Sequence, residues 1–157
     1  MSTDFFDQVR RCYVENHRGL FGYALSLTRN RAAAEDAVHA VICRLLDRGT
    51  IPSEPRPYLY RAVRNAAVDT WRRGASREEP LFDGGAGSGP DPELRLQLEA
   101  CLFRLDTDQR EVILLKAWQG LTFREIGEVR GQPANSAASL YRRGLHKLKA
   151  LLEEKER

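Results

Sequence analysis

Aromatic side chains stand among arginines in the segment PRPYLYRAVRNAAVDTWRR, residues 55–73, and this combination suits nucleic-acid binding. From Arg56 to Arg77 there are six arginines and a single acid, Asp69. Bases stack on aromatic rings, while guanidinium groups hold phosphates. The structural alternative is that Tyr60 and Trp71 complete a hydrophobic core and the arginines are merely solvated. The segment is therefore a candidate site for single-stranded nucleic acid, and both interpretations stay open at this point.

A second candidate is the segment GLTFREIGEVRGQPANSAASLYRRGLHKLK, residues 120–149. Thr122 and Glu125 have the spacing of a capping box, which starts a helix, and Gly131 with Pro133 predicts a turn. A short capped helix, a turn and a longer basic helix are the helix-turn-helix pattern, whose second helix can enter the major groove. The same geometry also occurs as plain helix packing. From Val129 to Leu152 there are five basic residues and no acid: Arg130, Arg142, Arg143, Lys147 and Lys149.

The sequence contains no recognisable pattern of catalytic or metal-binding residues. The histidines lie in separate segments with no HExxH motif and no recognisable nucleophile: His17, His39 and His146. The cysteines are odd in number, far apart and outside any CxxC pattern: Cys12, Cys43 and Cys101. We interpret them as buried, reduced thiols. The sequence predicts no enzymatic activity, no metal site and no cofactor.

The composition of the 157 residues, with 42% hydrophobic and 30% charged residues, indicates a packed protein with its own core. No apolar run approaches the roughly 20 residues that a membrane span needs, and the first residues lack a signal-peptide pattern. We therefore expect no membrane insertion and a cytoplasmic location. The net charge of +3 is mild, but two basic zones flank an acidic connector at residues 81–99.

The run DGGAGSGPDP, residues 83–92, has the composition of a flexible linker. No strand-like alternation long enough to build a sheet occurs on either side. The predicted fold is all-α, with two small helical domains joined by a flexible linker, the second ending in a helix-turn-helix. The predicted bounds are a first domain at 1–80, a linker at 81–93 and a second domain at 94–157.

Apolar spacing predicts the helices of the first domain. One covers residues 16–28, and Phe5, Phe6, Val9 and Tyr13 mark an earlier helix or the start of the same one. The next, EDAVHAVICRLL from Glu35 to Leu46, has both of its acids in the first turn, and Gly49 and Pro52 end it. A third starts at Pro57. The predicted apolar stripes are Leu20, Phe21, Ala24 and Leu27; Val38, Val41, Ile42 and Leu45; and Leu59, Val63, Ala66, Ala67 and Thr70.

In the second domain, Leu94, Leu98, Cys101, Leu102 and Leu105 predict one helix and DTDQREVILLKAWQG another. Asp106 and Gln109 match a second capping box, and Gly120 fits the position just past the helix end. The final helix is expected to bury one stripe, which leaves Leu140 exposed. That stripe is Ala137, Tyr141, Leu145, Leu148 and Leu152.

Three segments, in this order, resemble the extracytoplasmic-function group of bacterial RNA polymerase sigma factors. They are EDAVHAVICRLL, PRPYLYRAVRNAAVDTWRR and, after a linker, LDTDQREVILLKAWQGLTFREIGEVRGQPANSAASLYRRGLHKL. Each motif is moderately specific, but their order, the linker position and the total length are specific together. The resemblance covers almost the whole chain.

The resemblance implies a role for each segment, by binding and not by catalysis. The helix from Glu35 to Leu46 would dock on core RNA polymerase, with Glu35, Asp36, His39 and Arg44 as the polymerase-binding residues. The loop at 48–56 and the following helix would capture and melt the minus-ten promoter element. The residues implied there are Arg56, Tyr58, Arg61, Arg64, Asn65, Arg72 and Arg73.

The helix-turn-helix would read the minus-thirty-five element as duplex DNA. Phosphate contacts are expected from Arg142, Arg143 and Lys147, and base-edge contacts from Asn135, Ser136 and Ser139. Thr122 and Arg124 complete the predicted set. Besides core polymerase and promoter DNA, the resemblance admits an anti-sigma factor as a partner.

Four positions depart from the family's pattern. His39 and Ala40 stand where members usually have a Gln-Glu pair, and Ala138 and Leu140 stand where members usually have basic residues. The alternative interpretation is a sigma-like helix-turn-helix regulator or interaction module that does not act as an initiation subunit.

Overall fold

The computed structural model describes residues 3–72 and 91–156, with the side chains of Trp71 and Arg72 outside that description. Arg73 and residues 81–90 of the predicted linker also lie outside it. The chain divides into two compact units, Met1–Leu81 and Phe82–Arg157. Across 3–72 and 91–156 the chain forms helices and short connections and no strand, so the predicted all-α fold is confirmed. None of the helices in these ranges is long and apolar enough to cross a membrane.

The first unit contains three helices, α1 (Thr3–Thr28), α2 (Arg31–Arg48) and α3 (Pro55–Arg72). The early apolar residues of the chain therefore belong to one continuous helix, which was the second of the two alternatives. Phe5 and Val9 are buried, whereas Phe6 and Tyr13 are largely exposed. The N-terminal part of α1 thus packs along a narrower stripe than predicted.

Two helix starts in the first unit differ from the prediction. Asn30 caps α2, since its side-chain oxygen accepts a hydrogen bond from the backbone N–H of Ala33 at 2.9 Å. Because this cap lies upstream of the acidic pair, Glu35 and Asp36 fall in the second turn of α2 and not in its first turn. Helix α3 begins at Pro55, two residues earlier than expected, and a proline suits such a position because it has no N–H to satisfy.

The core of the first unit lies between the facing sides of α1, α2 and α3. Its fully buried side chains are Leu20, Tyr23, Leu25, Val41, Leu45, Leu59 and Val63. The Tyr60 ring is buried against Tyr23, with the ring centres 5.5 Å apart. Tyr60 is therefore a core residue, as the structural alternative held, while the side chain of Trp71 lies outside the description.

The second unit contains α4 (Pro92–Phe103), α5 (Thr107–Ile113), a π-helical segment (Leu114–Trp118), α6 (Phe123–Arg130) and α7 (Ala134–Lys155). Helix α4 begins at Pro92, so the last two residues of the predicted linker are helical. Asp91 caps this helix by accepting a hydrogen bond from the N–H of Glu93 at 3.4 Å.

One of the two predicted capping boxes forms in the second unit. The Thr122 hydroxyl accepts from the Glu125 N–H at 3.1 Å, and the Glu125 carboxylate accepts from the Thr122 N–H at 3.0 Å. Asp106 stands at the start of α5 but makes no side-chain cap, and the Gln109 amide oxygen is buried without a hydrogen-bond partner. The prediction for Asp106 and Gln109 was wrong.

The buried stripe of α7 also differs from the prediction. Ala137, Gly144, Leu148 and Leu151 are buried, whereas Leu145 is exposed and Leu152 is half-buried. A β-carbon on Gly144 would lie 2.9 Å from Cδ1 of Ile113 and 3.2 Å from Cβ of Gln109, so α7 lies close against α5 at this position. The stripe is centred on a glycine, which apolar spacing does not register.

The cysteines are less uniformly buried than expected. Cys101 is buried in the second unit, Cys12 is half-buried and Cys43 is exposed on α2. Cys43 follows the half-buried Ile42 and is a surface thiol.

Candidate nucleic-acid interface

Helix α2 presents the four predicted polymerase-binding residues to solvent. Its buried side consists of small and branched apolar residues: Ala33, Ala34, Ala37, Val38, Val41 and Leu45. Glu35, Asp36, His39 and Arg44 are all exposed on the remaining surface. Ala40, Cys43 and Asp47 are exposed beside them. The surface therefore mixes both charge signs with small side chains.

The connection after α2 turns sharply and is tied to α3. Gly49 adopts a left-handed conformation with φ 78°, which ends α2 where a side chain would be strained. The Arg48 guanidinium lies over the Tyr58 ring, 5.3 Å from its centre, and its Nε donates to the Thr50 hydroxyl at 3.4 Å. Arg48 thereby links the end of α2, the loop and the first turn of α3.

Helix α3 separates core residues from polar ones. Leu59, Tyr60, Val63 and Ala67 are buried, whereas Arg61 and Asn65 are exposed and Arg56, Tyr58 and Arg64 are half-buried. Tyr58, Arg61 and Asn65 are spaced by three and four residues, so the helix brings them to one face. The structure thus brings together an aromatic ring, a guanidinium and an amide on one strip. The Arg72 side chain and Arg73 lie outside the described residues.

The helix-turn-helix is built around a close approach of backbone to backbone. Gly131 takes φ 69° in the turn, and the Gln132 N–H donates to the Gly127 carbonyl at 2.9 Å. A β-carbon on Gly127 would lie 2.5 Å from the Gln132 carbonyl oxygen, closer than atoms can pack. The turn is therefore folded onto α6, and Pro133 caps the start of α7 from this position.

An aromatic contact sets α6 against α7. The Phe123 and Tyr141 rings meet edge to face with their centres 5.5 Å apart, and the Lys116 ammonium lies 4.8 Å from the centre of the Phe123 ring. Edge-to-face pairs of this kind contribute roughly 0.5–1.5 kcal/mol beyond the area they bury. The contact holds the first turn of α6 beside the middle of α7.

The N-terminal half of α7 offers its polar residues on one surface. Asn135 and Ser136 are exposed, and together with Ser139, Leu140 and Arg143 they line one shallow depression. Leu140 is half-buried in this depression, so the prediction that it would be exposed was wrong; it contributes an apolar wall. Small polar side chains around an open depression are suited to approach by a base edge.

The basic residues of α7 lie further along the same helix. Arg142 donates to the Ser139 hydroxyl at 3.3 Å, and Arg143 donates to the Ser139 carbonyl at 3.4 Å. Both guanidinium groups are exposed, as is Lys147 one turn later. On α6, Thr122 is committed to the cap and Arg124 pairs with Glu128 at 3.1 Å. The exposed positive charge therefore lies mainly on α7.

Arg130 does not belong to this basic surface, although it was counted with it. Its side chain is 6% exposed and donates to Glu111, which is 5% exposed, and at 3.0 Å to Asp108, which is 68% exposed. Burial alone would lower the pKa of Arg130, but the negative charges of Glu111 and Asp108 outweigh it and raise that pKa above its usual value. Arg130 is thus a charged residue of the interior.

Sequence reasoning missed the residues that position the helix-turn-helix from within: Glu111, Gly127, Arg130 and Gly144. One signal was available, since Glu111 stands directly before the apolar run Val112–Leu115 on a helix whose neighbours are buried. A buried acid in such a run requires a cation. The spacing alone did not indicate which cation.

Comparison with known proteins places these surfaces in a family. Residues 12–77 match the family model of sigma-70 region 2, and residues 95–148 match that of sigma-70 region 4. The chain is 34% identical over 145 residues to the RNA polymerase sigma factor CarQ of Myxococcus xanthus, covering 86% of this chain and 83% of that protein.

Two solved structures share the fold. The sigma factor RpoE of Bartonella quintana, in complex with the anti-sigma factor NepR, matches with a TM-score of 0.74 at 21% identity, covering 97% of this chain and 98% of that chain. CnrH, in complex with the cytosolic domain of CnrY, matches with a TM-score of 0.69 at 22% identity, covering 93% and 88%. The two region models in order, and a relative that spans most of the chain, lead to one conclusion: this chain belongs to the sigma-70 family of RNA polymerase sigma factors, in its extracytoplasmic-function group.

Proposed function

We propose that this sigma factor directs core RNA polymerase to specific promoters and starts transcription by capturing and melting promoter DNA. The observation that carries the proposal is that one chain contains region 2 and region 4 in order, each with an exposed polar helix face inside the matched residues. The roles of individual residues form part of the proposal.

The first unit docks on core polymerase through the exposed surface of α2. The residues proposed to make this contact are Glu35, Asp36, His39 and Arg44. Their shared exposure supports this assignment, as does the buried apolar side of the same helix. Because the contact is made by surface charges, added salt should weaken it. At ionic strengths near the physiological one, the attraction between exposed charges is screened over a distance of about 8–10 Å.

The same unit opens the minus-ten element with α3 and the loop before it. Tyr58 supplies a ring on which a freed base can stack, while Arg61 and Asn65 meet the backbone and base edges. Unstacking a base costs a few kcal/mol, and the contacts to the freed strand offset that cost. Opening in this way is driven by binding and requires no catalytic residue and no nucleotide hydrolysis.

The second unit reads the minus-thirty-five element as duplex DNA with α7. Asn135, Ser136 and Ser139 meet base edges from the shallow depression, while Arg142, Arg143 and Lys147 hold phosphates. Most of the affinity comes from phosphates, since the first turns of α7 are small and neutral, and discrimination among upstream sequences is weak. Because both DNA-binding units belong to one chain, binding of one unit to its promoter element raises the local concentration of the other unit near its own element.

An anti-sigma factor is proposed as a regulatory partner. RpoE and CnrH, whose fold this chain shares, are each in complex with another protein, and for RpoE that protein is an anti-sigma factor. A partner that covers α2 or α7 would block the two proposed binding surfaces directly.

The test is binding to bacterial core polymerase at low salt, followed by transcription from a promoter selected with the resulting holoenzyme. Asp36→Lys and Arg44→Glu should weaken core binding without changing thermal unfolding, because both side chains are exposed. Asp7→Lys, an exposed reversal on α1, is the matched control and should bind like the wild type.

Failure of the wild-type chain to bind core polymerase would overturn the proposal. Sequence-selective duplex binding without core binding would instead support the stand-alone regulator, which the exposed His39 and Ala40 on the docking surface favour. Core binding without promoter opening would reject the role given to α3 and leave the docking role intact.

A further inference from the structure

Arg130 connects three parts of the second unit through one guanidinium group. It lies in the last turn of α6, and it reaches Glu111 and Asp108 on α5, nineteen and twenty-two residues away in sequence. Its Nε donates to the Gln132 side-chain oxygen at 3.2 Å. The third partner belongs to the turn that leads into α7, so the guanidinium fixes both α5 and the turn.

The turn is short enough for this attachment to reach α7. Gln132 is followed directly by Pro133, which caps α7, and the N–H groups of Ser136 and Ala137 donate to the Pro133 carbonyl at 3.0 and 3.2 Å. Gln132 itself is held on α6 by its N–H bond to Gly127. A shift of Gln132 therefore moves the first turn of α7, where Asn135 and Ser136 are exposed.

The planar fork of arginine is needed for this arrangement. It donates from three nitrogens in fixed directions, whereas a lysine ammonium is a single point of charge on a flexible stem. The Glu111 end is buried and the Asp108 end is exposed, so Glu111 anchors the group and Asp108 adds little. The geometry suits an orienting role as well as a cohesive one.

We propose that Arg130 is a positioning residue for promoter recognition: by tying the turn at Gln132 to Glu111 of α5, it sets the orientation in which α7 meets the duplex. This inference rests on the proposed function of the second unit. Under this inference Arg130 is not one of the phosphate-binding residues, because its charge pairs with Glu111 and Asp108 within the protein.

The experiment compares full-length variants. Replacing a buried ion pair by apolar residues of similar volume is often neutral for stability, so the Arg130→Met/Glu111→Met double variant removes the attachment while retaining the fold. Arg130→Lys keeps a charge opposite Glu111 but loses the fork. Arg104→Met is the matched control, since Arg104 forms an exposed pair with Glu154 at 3.7 Å on the same unit, far along α7 from the turn.

Three quantities are measured on each variant: thermal unfolding, hydrogen exchange of the amides at 131–137, and affinity for duplex DNA selected from a random pool with the wild-type chain. The expected result for the double variant is an unfolding temperature near that of the wild type, faster exchange at 131–137, and an affinity lowered roughly tenfold, the size of one lost base contact. Arg104→Met should match the wild type in all three.

An affinity within about twofold of the wild type corresponds to a free-energy difference far below that of one base contact. Such an affinity together with unchanged exchange would overturn the inference and leave Arg130 as a cohesive residue only. If the double variant unfolds at the measuring temperature, Arg130→Lys decides by the same two readouts. If the wild-type chain selects no duplex at all, the proposed function of the second unit is overturned, and so is the inference that rests on it. If the wild type selects a duplex and the double variant binds that duplex equally well, only the inference is overturned.

Discussion

Gly127 allows the turn of the helix-turn-helix to lie against α6, because a β-carbon there would meet the backbone of the turn. We predict that Gly127→Ala lowers the free energy of unfolding by roughly 1–3 kcal/mol, the usual cost of overpacking, because the added carbon meets a backbone oxygen at 2.5 Å. A backbone carbonyl in a tight turn cannot rotate away as a side chain can. Urea unfolding of the full chain measures the change.

The matched comparison is Gly144→Ala, whose added carbon meets the terminal carbon of Ile113 at 2.9 Å. That side chain can change rotamer, whereas the backbone oxygen that faces Gly127 cannot. Both glycines are helical, so the gain in helix propensity on replacement by alanine, up to about 1 kcal/mol, is common to the two variants. Gly144→Ala should therefore cost less than Gly127→Ala. An equal or larger cost at Gly144 would show that the α5–α7 contact is the more rigid of the two.

The three thiols should differ in reactivity. Cys43 is exposed, so we predict that iodoacetamide modifies it first at pH 8. Burial, assisted by Glu15 and opposed by Arg11, raises the pKa of Cys12, so less thiolate is present and its modification should accelerate at higher pH. Cys101 should react only on unfolding.

Mass spectrometry of timed samples gives the order, and a Cys43→Ser variant checks the assignment of the first product. Rapid modification of Cys101 in the folded chain would mean that α4 opens readily.

Exposed polar residues were easier to predict from the sequence than buried charged residues. Asn135, Arg142, Arg143 and Lys147 are on the surface as expected, although their roles stay predictions. Arg130 was counted with them and is buried, because its environment depends on Glu111, nineteen residues earlier in the chain. Local composition contains no information about that partner.

At the scale of the element, the start of α6 depends on its capping box. Thr122→Ala should lower the free energy of unfolding by about 1 kcal/mol, since the Glu125 N–H loses its side-chain partner. Asp106→Ala is the control at the start of α5, where no side-chain cap exists, and it should change stability less. Urea unfolding followed by Trp118 fluorescence in a Trp71→Phe background measures both; equal losses would contradict the assignment.

Helix α7 shows why an element can be predicted while its orientation is not. Its existence and extent followed from apolar spacing, and Ala137 and Leu148 are buried as predicted. The stripe nevertheless passes through Gly144 and Leu151 instead of Leu145 and Leu152. Gly144 faces the side chains of Ile113 and Gln109 on α5, so the orientation of α7 depends on packing between the two helices rather than on the hydrophobicity of α7 itself.

At the scale of the molecule, each unit has its own buried set of side chains, centred on α1–α3 in one and on α4–α7 in the other. We therefore predict that cleavage between Asp83 and Pro92, at an inserted protease site, leaves two fragments that each unfold cooperatively. Circular dichroism of the separated fragments tests this. A fragment that is unfolded by itself would show that the division into domains at this run is wrong.

The organisation into two helical domains, the second ending in a helix-turn-helix, was predictable because residues 83–92 form a long run of glycine, proline, serine and aspartate without apolar spacing. The bounds were less accurate: Pro92 and Glu93 were assigned to the linker and belong to α4. Helix ends depend on single caps such as Asp91, and one capping residue among several candidates is not selected by composition.

The π-helical segment Leu114–Trp118 has a consequence for the evolution of chain length. Its wide turn, in which the Gln119 N–H donates to the Leu114 carbonyl at 3.1 Å, holds one residue more than an α-helical turn and lies at the end of α5, before the connection to α6. A residue can be lost here without rotating α5 against the elements that follow. In relatives whose corresponding helix is α-helical throughout, a sequence alignment should therefore place a gap of one residue between Leu114 and Gln119.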